Sequence, residues 1–464
     1  MRTDPYGSIF RSSILPILDR LNGTDIDRKL RLLQSWEHLD PGEIRARQDR
    51  RLEDVVAGAR KSCPFYAERW GRKELGPSSA YGPLSGLPVV AKADLRDAAG
   101  SFPVPGHQKK VVASRTSGST GSPMIFYRSM EQESWFWALR MRIWGWAGYR
   151  PGDPYLTINL NPRLAWKKRL QDVLFRCTYL TFNADNQDSA RIVEVLRSRR
   201  IPNLNGFSSS LFVLARYMKE RGIPNPGVSG VTSTGDTLFP EYREAVESAF
   251  GTRVLDYYGA GGEGLHLASQ CPQSGSRYHL HPENAVVEIL DDEGPAAPGI
   301  PGRIVVTQLD NPAMPLIRYE LGDVAVGAPD GTRCECGRTL PMLERIEGRI
   351  PDLIVAPDGT FLVMHFFVVL FKNLQQVDRY QILQDRKETI VARLVARPGA
   401  DRSGIEAAVR KAVSEATRGT LGTEFQWLEE IPLSGAGKRR LVISRFGREA
   451  LMAHPASSSA PGRP

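Results

Sequence analysis

The stretch Arg115-Thr-Ser-Gly-Ser-Thr-Gly-Ser-Pro123 (RTSGSTGSP) places five hydroxyl side chains and two glycines in nine residues, between the apolar runs Val111-Val-Ala-Ser114 and Met124-Ile-Phe-Tyr127. Hydroxyls and backbone N–H groups donate hydrogen bonds, and glycine lets the backbone approach a ligand whose oxygens must be wrapped from several sides. Phosphate is the ligand such a loop suits. The segment is not a Walker P-loop, because Gly121 is followed by Ser122 and Pro123 where that motif requires Lys and then Ser or Thr. Taken alone it reads equally well as a polar hairpin between two strands.

Composition narrows the classes. A chain of 464 residues is too long for one ordinary core, so two or three domains are expected. The net charge of +9 comes from Lys and Arg scattered among nearly as many acids, without a long basic run. It therefore points away from nucleic acid and toward a surface that attracts small anionic substrates. The apolar start of the chain is interrupted by Arg11 and two serines, unlike a signal peptide. The longest apolar run, Phe361–Phe371, is far too short to span a bilayer and is expected to be buried core. Five cysteines make no disulfide framework in a chain of this length, and a cytoplasmic protein without membrane partners is expected.

Outward from the opening stretch, the pattern reads as α/β. Residues 131–146 carry Trp135, Leu139, Ile143 and Trp146 at helical spacing, an aromatic face that suits core more than a pocket wall. Strand-like and helix-like segments then alternate through PYLTINL, the helix of 188–199, GFSSSLFVLARYM, VSGVTSTGD, PEYREAVESAFG and RVLDYYG. That alternation predicts a layer of mostly parallel strands. From about Glu283 the runs NAVVEIL and GRIVVTQL predict a small β subdomain, and after Arg349 two strands and a helix predict a small α+β domain. The expected division is a large N-terminal domain over 1–348, a mobile C-terminal domain over 349–450, and a disordered tail over 451–464, rich in Ser and Pro.

Four further motifs follow the opening loop in order: Tyr258-Gly-Ala-Gly-Gly-Glu263, Arg318-Tyr-Glu-Leu-Gly-Asp323, Arg345-Ile-Glu-Gly-Arg349 and Ser434-Gly-Ala-Gly-Lys438. In this order and spacing the chain resembles the adenylate-forming superfamily, in the branch of the phenylacetate-CoA ligases and CapK-type proteins. The resemblance runs from about Pro64 to about Val442. It implies activation of a carboxylic acid by ATP to an acyl-adenylate, followed by transfer to coenzyme A, with an aromatic acid as the family default. CapK-type relatives leave an amine, a hydroxyl or a carrier-protein thiol open as acceptor, and a degenerate nucleotide-binding protein is the reading from outside enzymology.

The same resemblance assigns roles to residues. Thr116, Ser117, Gly118, Ser119, Thr120 and Gly121 would cradle the β- and γ-phosphates; Asp323 would accept from both ribose hydroxyls; Arg349 would contact ribose and phosphate. Tyr258 would lie near adenine and Glu263 would hold Mg²⁺. Lys438 would reach the carboxylate and α-phosphate oxygens during adenylation. Two motifs depart from the family pattern. Tyr-Gly-x-Thr-Glu lacks its threonine here and Glu263 arrives one residue late, which a one-residue bulge at the glycines would explain. Pro351 stands in Gly348-Arg-Ile-Pro-Asp352, where relatives carry the hinge aspartate, so the hinge shifts to Asp352 or the domain swing is restricted. Acid selection is expected between the phosphate loop and Tyr258, with Phe207 and either Trp135 or Tyr127 as wall residues.

Cys334-x-Cys336, with Cys271 and His279, offers three thiols and an imidazole, a donor set suited to tetrahedral Zn²⁺ with no open position. Several relatives in the branch carry a similar set, and His281 competes as the fourth ligand. Cys63 and Cys177 are expected to be unligated thiols. Homodimers are common among relatives and a homodimer stays open here.

Overall fold

The computed structural model describes residues 5–71, 84, 86–107, 111–115, 124–159, 172–181, 186–291, 294–349, 354–358, 360–362, 366–367, 370–371, 373–431 and 441–446. The phosphate-loop residues Thr116–Gly121, the hinge residues Pro351 and Asp352, Lys438 and the tail 451–464 lie outside them.

The runs flanking the opening stretch are β1 (Val111–Arg115) and β2 (Ile125–Ser129), paired antiparallel with Arg115 opposite Ile125. β2 passes directly into the Met130–Trp146 helix, because the Ser129 side chain accepts from the Gln132 amide at 3.1 Å and caps the first turn. Then follow β3 (Tyr155–Asn159), β4 (Cys177–Thr181), β5 (Asn203–Phe207), β6 (Gly230–Thr234) and β7 (Val254–Ala260), all parallel, in the spatial order β7-β6-β5-β3-β4. The predicted helices connect them. One of these, Pro240–Phe250, starts on a proline and stops at Gly251, whose φ of 64° gives the left-handed cap.

At β7 the sheet changes character. β8 (Leu265–Ser269), β9 (Tyr278–Leu280), β10 (Ala285–Leu290), β11 (Pro301–Gln308), β12 (Tyr319–Gly327) and β13 (Met342–Arg349) continue it antiparallel, giving 11 strands in the order β10-β11-β12-β13-β9-β8-β7-β6-β5-β3-β4. The helical and strand-rich parts have separate cores. One gathers Leu211, Leu214, Val231 and Phe250 between the parallel strands and their helices; another gathers Tyr66, Trp70, Leu267, Ile304 and Tyr319.

A further core lies within residues 354–442. β14 (Ile354–Val355) pairs with β15 (Phe361–Leu362), and β16 (Val377–Arg386), β17 (Thr389–Ala396), β18 (Gly422–Trp427) and β19 (Val442–Ser444) form a sheet in the order β18-β17-β16-β19. The Arg402–Ala416 helix covers it with Ile405, Val409 and Val413. From the long apolar run, Leu362, Phe367 and Phe371 are buried here, as expected. Among the described residues no helix is long and apolar enough to cross a membrane.

The N-terminal helices, Pro5–Ile9, Leu15–Asn22, Ile26–Trp36 and Pro41–Ser62, dock on this frame through buried charge. Lys29 Nζ meets Glu131 Oε2 at 2.8 Å, and the Arg51 guanidinium lies 4.7 Å over the Trp135 ring and donates to the Glu283 and Leu309 carbonyls. Arg142, Glu283 and His281 form a fully buried group nearby.

Asp310 belongs to the same region. Burial pushes its carboxyl up to about 7, against the opposing pull of Arg51 and Gln308. Because the folded value lies above the unfolded one, the stability this group lends is complete below about pH 4 and is lost as pH rises toward 7. Asp310→Asn mimics the protonated form. Its stability relative to wild type should therefore rise by about 1.4 kcal/mol per pH unit across that window and level off above it. Urea denaturation at intervals between pH 4 and 8 checks this, and a difference independent of pH contradicts it.

Candidate functional site

Ligands of open parallel sheets bind at the carboxyl ends of the strands, and the motif residues are found there. β5 ends at Phe207 and β6 runs into Gly235, whose φ is 86° and where a Cβ would strike the Phe207 ring. Asp236 follows and accepts from the amides of Ser208 and Ser209 at 2.6 and 3.2 Å, which fixes the next helix to the end of β6. Phe207 thus lies half-buried at the strand ends, where the sequence places a wall residue.

β7 and β8 make the turn that carries Glu263. Ala260 pairs with Leu265, leaving Gly261–Gly264 as the connection, and the register slips by one residue between Tyr258 and Gly259. The extra residue of the slip is Leu267 on β8, so the bulge lies after Glu263 and not at the glycines of the motif, where the late glutamate would place it. The turn is held from three sides. Gln132, wholly buried, donates from Nε2 to the carbonyls of Glu263 at 2.7 Å and Gly264 at 3.1 Å; the Ser114 hydroxyl donates to the Gly262 carbonyl; Tyr319 Oη donates to Glu263 Oε1 at 3.4 Å. Ser114 is two residues from Thr116, so the entry to the phosphate loop is tied to the turn that presents Glu263.

Tyr258 Oη donates to Asp323 Oδ2 at 2.6 Å. Asp323 lies inside β12, just after Gly322 with φ of 82°. Directly across the pair β12–β13, its partner in register is Arg349. Tyr258, Asp323 and the backbone of Arg349 are therefore brought together from three strands, with Glu263 on the adjoining turn. Arg318, from the same motif as Asp323, is an anchor: it pairs with Glu288 at 2.9 Å and donates to the Leu87 carbonyl at 2.6 Å.

One of the other wall candidates lies elsewhere. Trp135 is 3% exposed, set between Lys29 and Arg51 with its Nε1 bonded to Glu131, so it docks the N-terminal helices. Tyr127 packs beside the core of the β subdomain. The helix instead turns Phe136 toward β8, where it stacks on His266 with centroids 4.3 Å apart, and Arg140 lies over the Phe136 and Trp137 rings. Sequence reasoning passes over Gln132, Ser114 and Arg140; the signal for Gln132 is its place three residues after a helix cap adjoining the loop.

The cysteine cluster closes in space. One donor atom from each of Cys271, His279, Cys334 and Cys336 lies within 4.8 Å of the others. Cys271 and Cys334 sulfurs are 3.6 Å apart, and Cys336 Sγ is 3.5 Å from His279 Nε2. Ligands at zinc distances on a tetrahedron stand about 3.5–3.8 Å from one another. Burial, then Arg338, holds His279 down to about 4, so the imidazole is in its neutral, ligating form. His281 is not part of the cluster, since its ring nitrogens meet Arg142 at 2.6 Å and Ser269 at 3.1 Å. Cys63 is buried and Cys177 half-buried, and neither is in a disulfide.

Comparison with known proteins agrees with this geometry. Residues 354–445 match the model of the CapK C-terminal domain. A phenylacetate-coenzyme A ligase of Thermus thermophilus is 26% identical over 363 residues, covering 76% of this chain and 81% of that protein. Protein CapK of Staphylococcus aureus is 21% identical over 424 residues, covering 86% and 89%. A crystal structure of 2-hydroxyisobutyryl-CoA ligase in the postadenylation state has the same fold, with a TM-score of 0.69 at 19% identity over 90% of this chain and 94% of that one. Over most of its length the chain is thus similar to phenylacetate-CoA ligases and to CapK, and it shares the fold of an acyl-CoA ligase.

Proposed function

We propose that this protein activates a carboxylic acid with ATP and passes the acyl group to coenzyme A. The observation that carries the reading is the meeting of Tyr258, Asp323 and Arg349 beside the Glu263 turn, with the phosphate-loop hairpin tied to that turn through Ser114. In the first step a carboxylate oxygen attacks the α-phosphorus and the bond to pyrophosphate breaks, leaving acyl-AMP. In the second a thiol attacks the acyl carbon and AMP departs.

In this reading Asp323 accepts from the ribose hydroxyls, a task for a carboxylate with two oxygens, while Tyr258 fixes its orientation and flanks the base. Arg349 answers ribose and phosphate, and Thr116–Gly121 hold the departing pyrophosphate. Glu263 would hold Mg²⁺, which neutralises phosphate charge when bound. Lys438, in a Gly-rich segment near the C-terminus, acts on the transition state. The domain boundary near Gly348 lets residues 349–450 bring it in and swing it away. An aromatic acid, received beside Phe207, suits the rings at the strand ends.

The match of residues 354–445 to the CapK C-terminal domain, with Pro351 at the hinge, supports a second reading of the acceptor: an amine, hydroxyl or carrier-protein thiol in place of coenzyme A.

Acid-dependent exchange of labelled pyrophosphate into ATP, over a panel of aryl, arylacetic and fatty acids, tests the first step without an acceptor. Exchange with at least one class is expected. Lys438→Ala should lower it by at least about a thousandfold while ATP binding changes little, because that lysine is assigned to the transition state. Exchange at the wild-type rate in that variant removes Lys438 from the mechanism. AMP release that requires coenzyme A, rather than an amine, separates the two acceptors.

The Cys271, His279, Cys334 and Cys336 cluster fits a structural Zn²⁺ that would join β8, β9 and the 334–338 turn. The purified chain should contain about one zinc per molecule, and Cys334→Ser with Cys336→Ser should lose it and melt lower by several degrees. Metal analysis that finds no zinc in either protein contradicts the assignment.

A further inference from the structure

The face of the Met130–Trp146 helix that looks toward β8 carries an unbalanced charge. The Arg140 guanidinium lies 5.2 Å from the Phe136 ring centroid, 5.4 Å from Trp137 and 5.3 Å from Trp144. These residues stand four and three positions before it and four after, so all share one side of the helix. Ring faces accept the flat of a guanidinium and leave its edge hydrogens unmet. Among the described residues Arg140 has neither a hydrogen-bond acceptor nor an ion-pair partner, and its Nε is buried.

Two more groups surround the same ring. Arg128 lies 5.3 Å from Phe136 and pairs with Glu133, Nε to Oε1, at 2.8 Å. His266, stacked on Phe136, is held well below its ordinary value by burial and then by Arg140 and Arg128, and its Nε2 is buried without a partner. At neutral pH the cluster therefore holds two guanidinium groups against one carboxylate, with one neutral imidazole. Unmet polar groups out of water cost about 1–3 kcal/mol each. An acceptor with two oxygens, entering edge-on to Arg140, would answer both the charge and the open donors.

The cluster adjoins the site. His266 is opposite Gly259 in the β7–β8 pairing, one residue from Tyr258, and Gln132 on the same helix holds the Glu263 turn. We propose that Arg140, with Arg128 and His266 beside it, is a subsite for a second carboxylate of the acid, so that the substrate is a dicarboxylic acid activated at one end and held at the other. Phe136 and Trp137 line the hydrocarbon between. This rests on the reading of the site as one that activates an acid, and it names the class of acid.

The probes are 4-carboxyphenylacetate and 4-methylphenylacetate, alike in shape and one charge apart. Binding to the full chain is followed without ATP by quenching of tryptophan fluorescence, and pyrophosphate exchange is measured separately with each acid. Wild type is expected to bind the dicarboxylate about tenfold or more tightly than the methyl acid. Arg140→Gln should bring that ratio to about one, and Arg140→Lys, which keeps the charge without the fork, to a value between. No binding of the dicarboxylate, a wild-type ratio at or below one, or a ratio unchanged in Arg140→Gln overturns the subsite. An unchanged ratio is the outcome of a packing role, which weakens both acids alike. A preserved binding ratio without exchange would leave the subsite standing and sink adenylation; exchange without preference would do the reverse.

Discussion

Gln132 divides its two amide hydrogens between the carbonyls of Glu263 and Gly264, and the fold is organised around the turn this fixes. On one side of the turn the sheet is parallel and covered by helices; on the other it is antiparallel and packs the β subdomain. A β7–β8 connection of four residues at the point of reversal exposes backbone carbonyls that the ladder cannot pair. Gln132 and Ser114 supply the missing donors, one from the helix and one from the hairpin. The segment that presents Glu263, the strand that leads to the phosphate loop and the helix that bears Arg140 are thereby locked to a single point.

The glycines of Tyr258-Gly-Ala-Gly-Gly-Glu263-Gly264 follow from that lock. A Cβ on Gly259 would collide with the Leu265 carbonyl across the slipped register, and one on Gly264, at φ of 76°, would meet Arg128 and come within 2.7 Å of Gln132 Nε2. Close approach of the neighbouring chain demands glycine at the first, and left-handed backbone demands it at the second. Glu263, one residue later than in the family pattern, is met by the Tyr319 hydroxyl.

Much of this was legible in the sequence because local pattern and tertiary position agree. The alternation from PYLTINL to RVLDYYG becomes the parallel half of the sheet, the runs NAVVEIL and GRIVVTQL become β10 and β11, and the donors of Cys271, His279, Cys334 and Cys336 meet although 65 residues of sequence separate the first from the last. What stayed hidden depends on partners distant in sequence. Lys29 and Arg51 are charged residues on the N-terminal helices, and only contacts with Trp135, Glu131 and Glu283, far along the chain, draw Lys29 into the interior and half-bury Arg51. Trp135 and Trp137 are two residues apart on one helix, and periodicity alone does not say which of them faces the N-terminal helices and which faces Arg140.

Buried charge is a poor source of net stability, because desolvation offsets most of the attraction between the partners. This chain nevertheless buries Arg142 with Glu283, Lys29 near Glu131, and Arg318 with Glu288, each joining segments far apart in sequence. Each of these cations has a carboxylate at salt-bridge distance, and for the fully buried pair Arg142 and Glu283 removing either partner would strand the other in low dielectric. Their contribution is to specify which segments meet, since an apolar contact tolerates a slide along the helix that a paired guanidinium does not. Arg140 is set against that pattern. It sits among aromatic faces as the others sit among carboxylates, and among the described residues no acceptor meets its forked edge. Arg51, which also has no carboxylate at salt-bridge distance, is answered by the Glu283 and Leu309 carbonyls; Arg140 has no such acceptor among the described residues, and a partner that arrives with the ligand accounts for it.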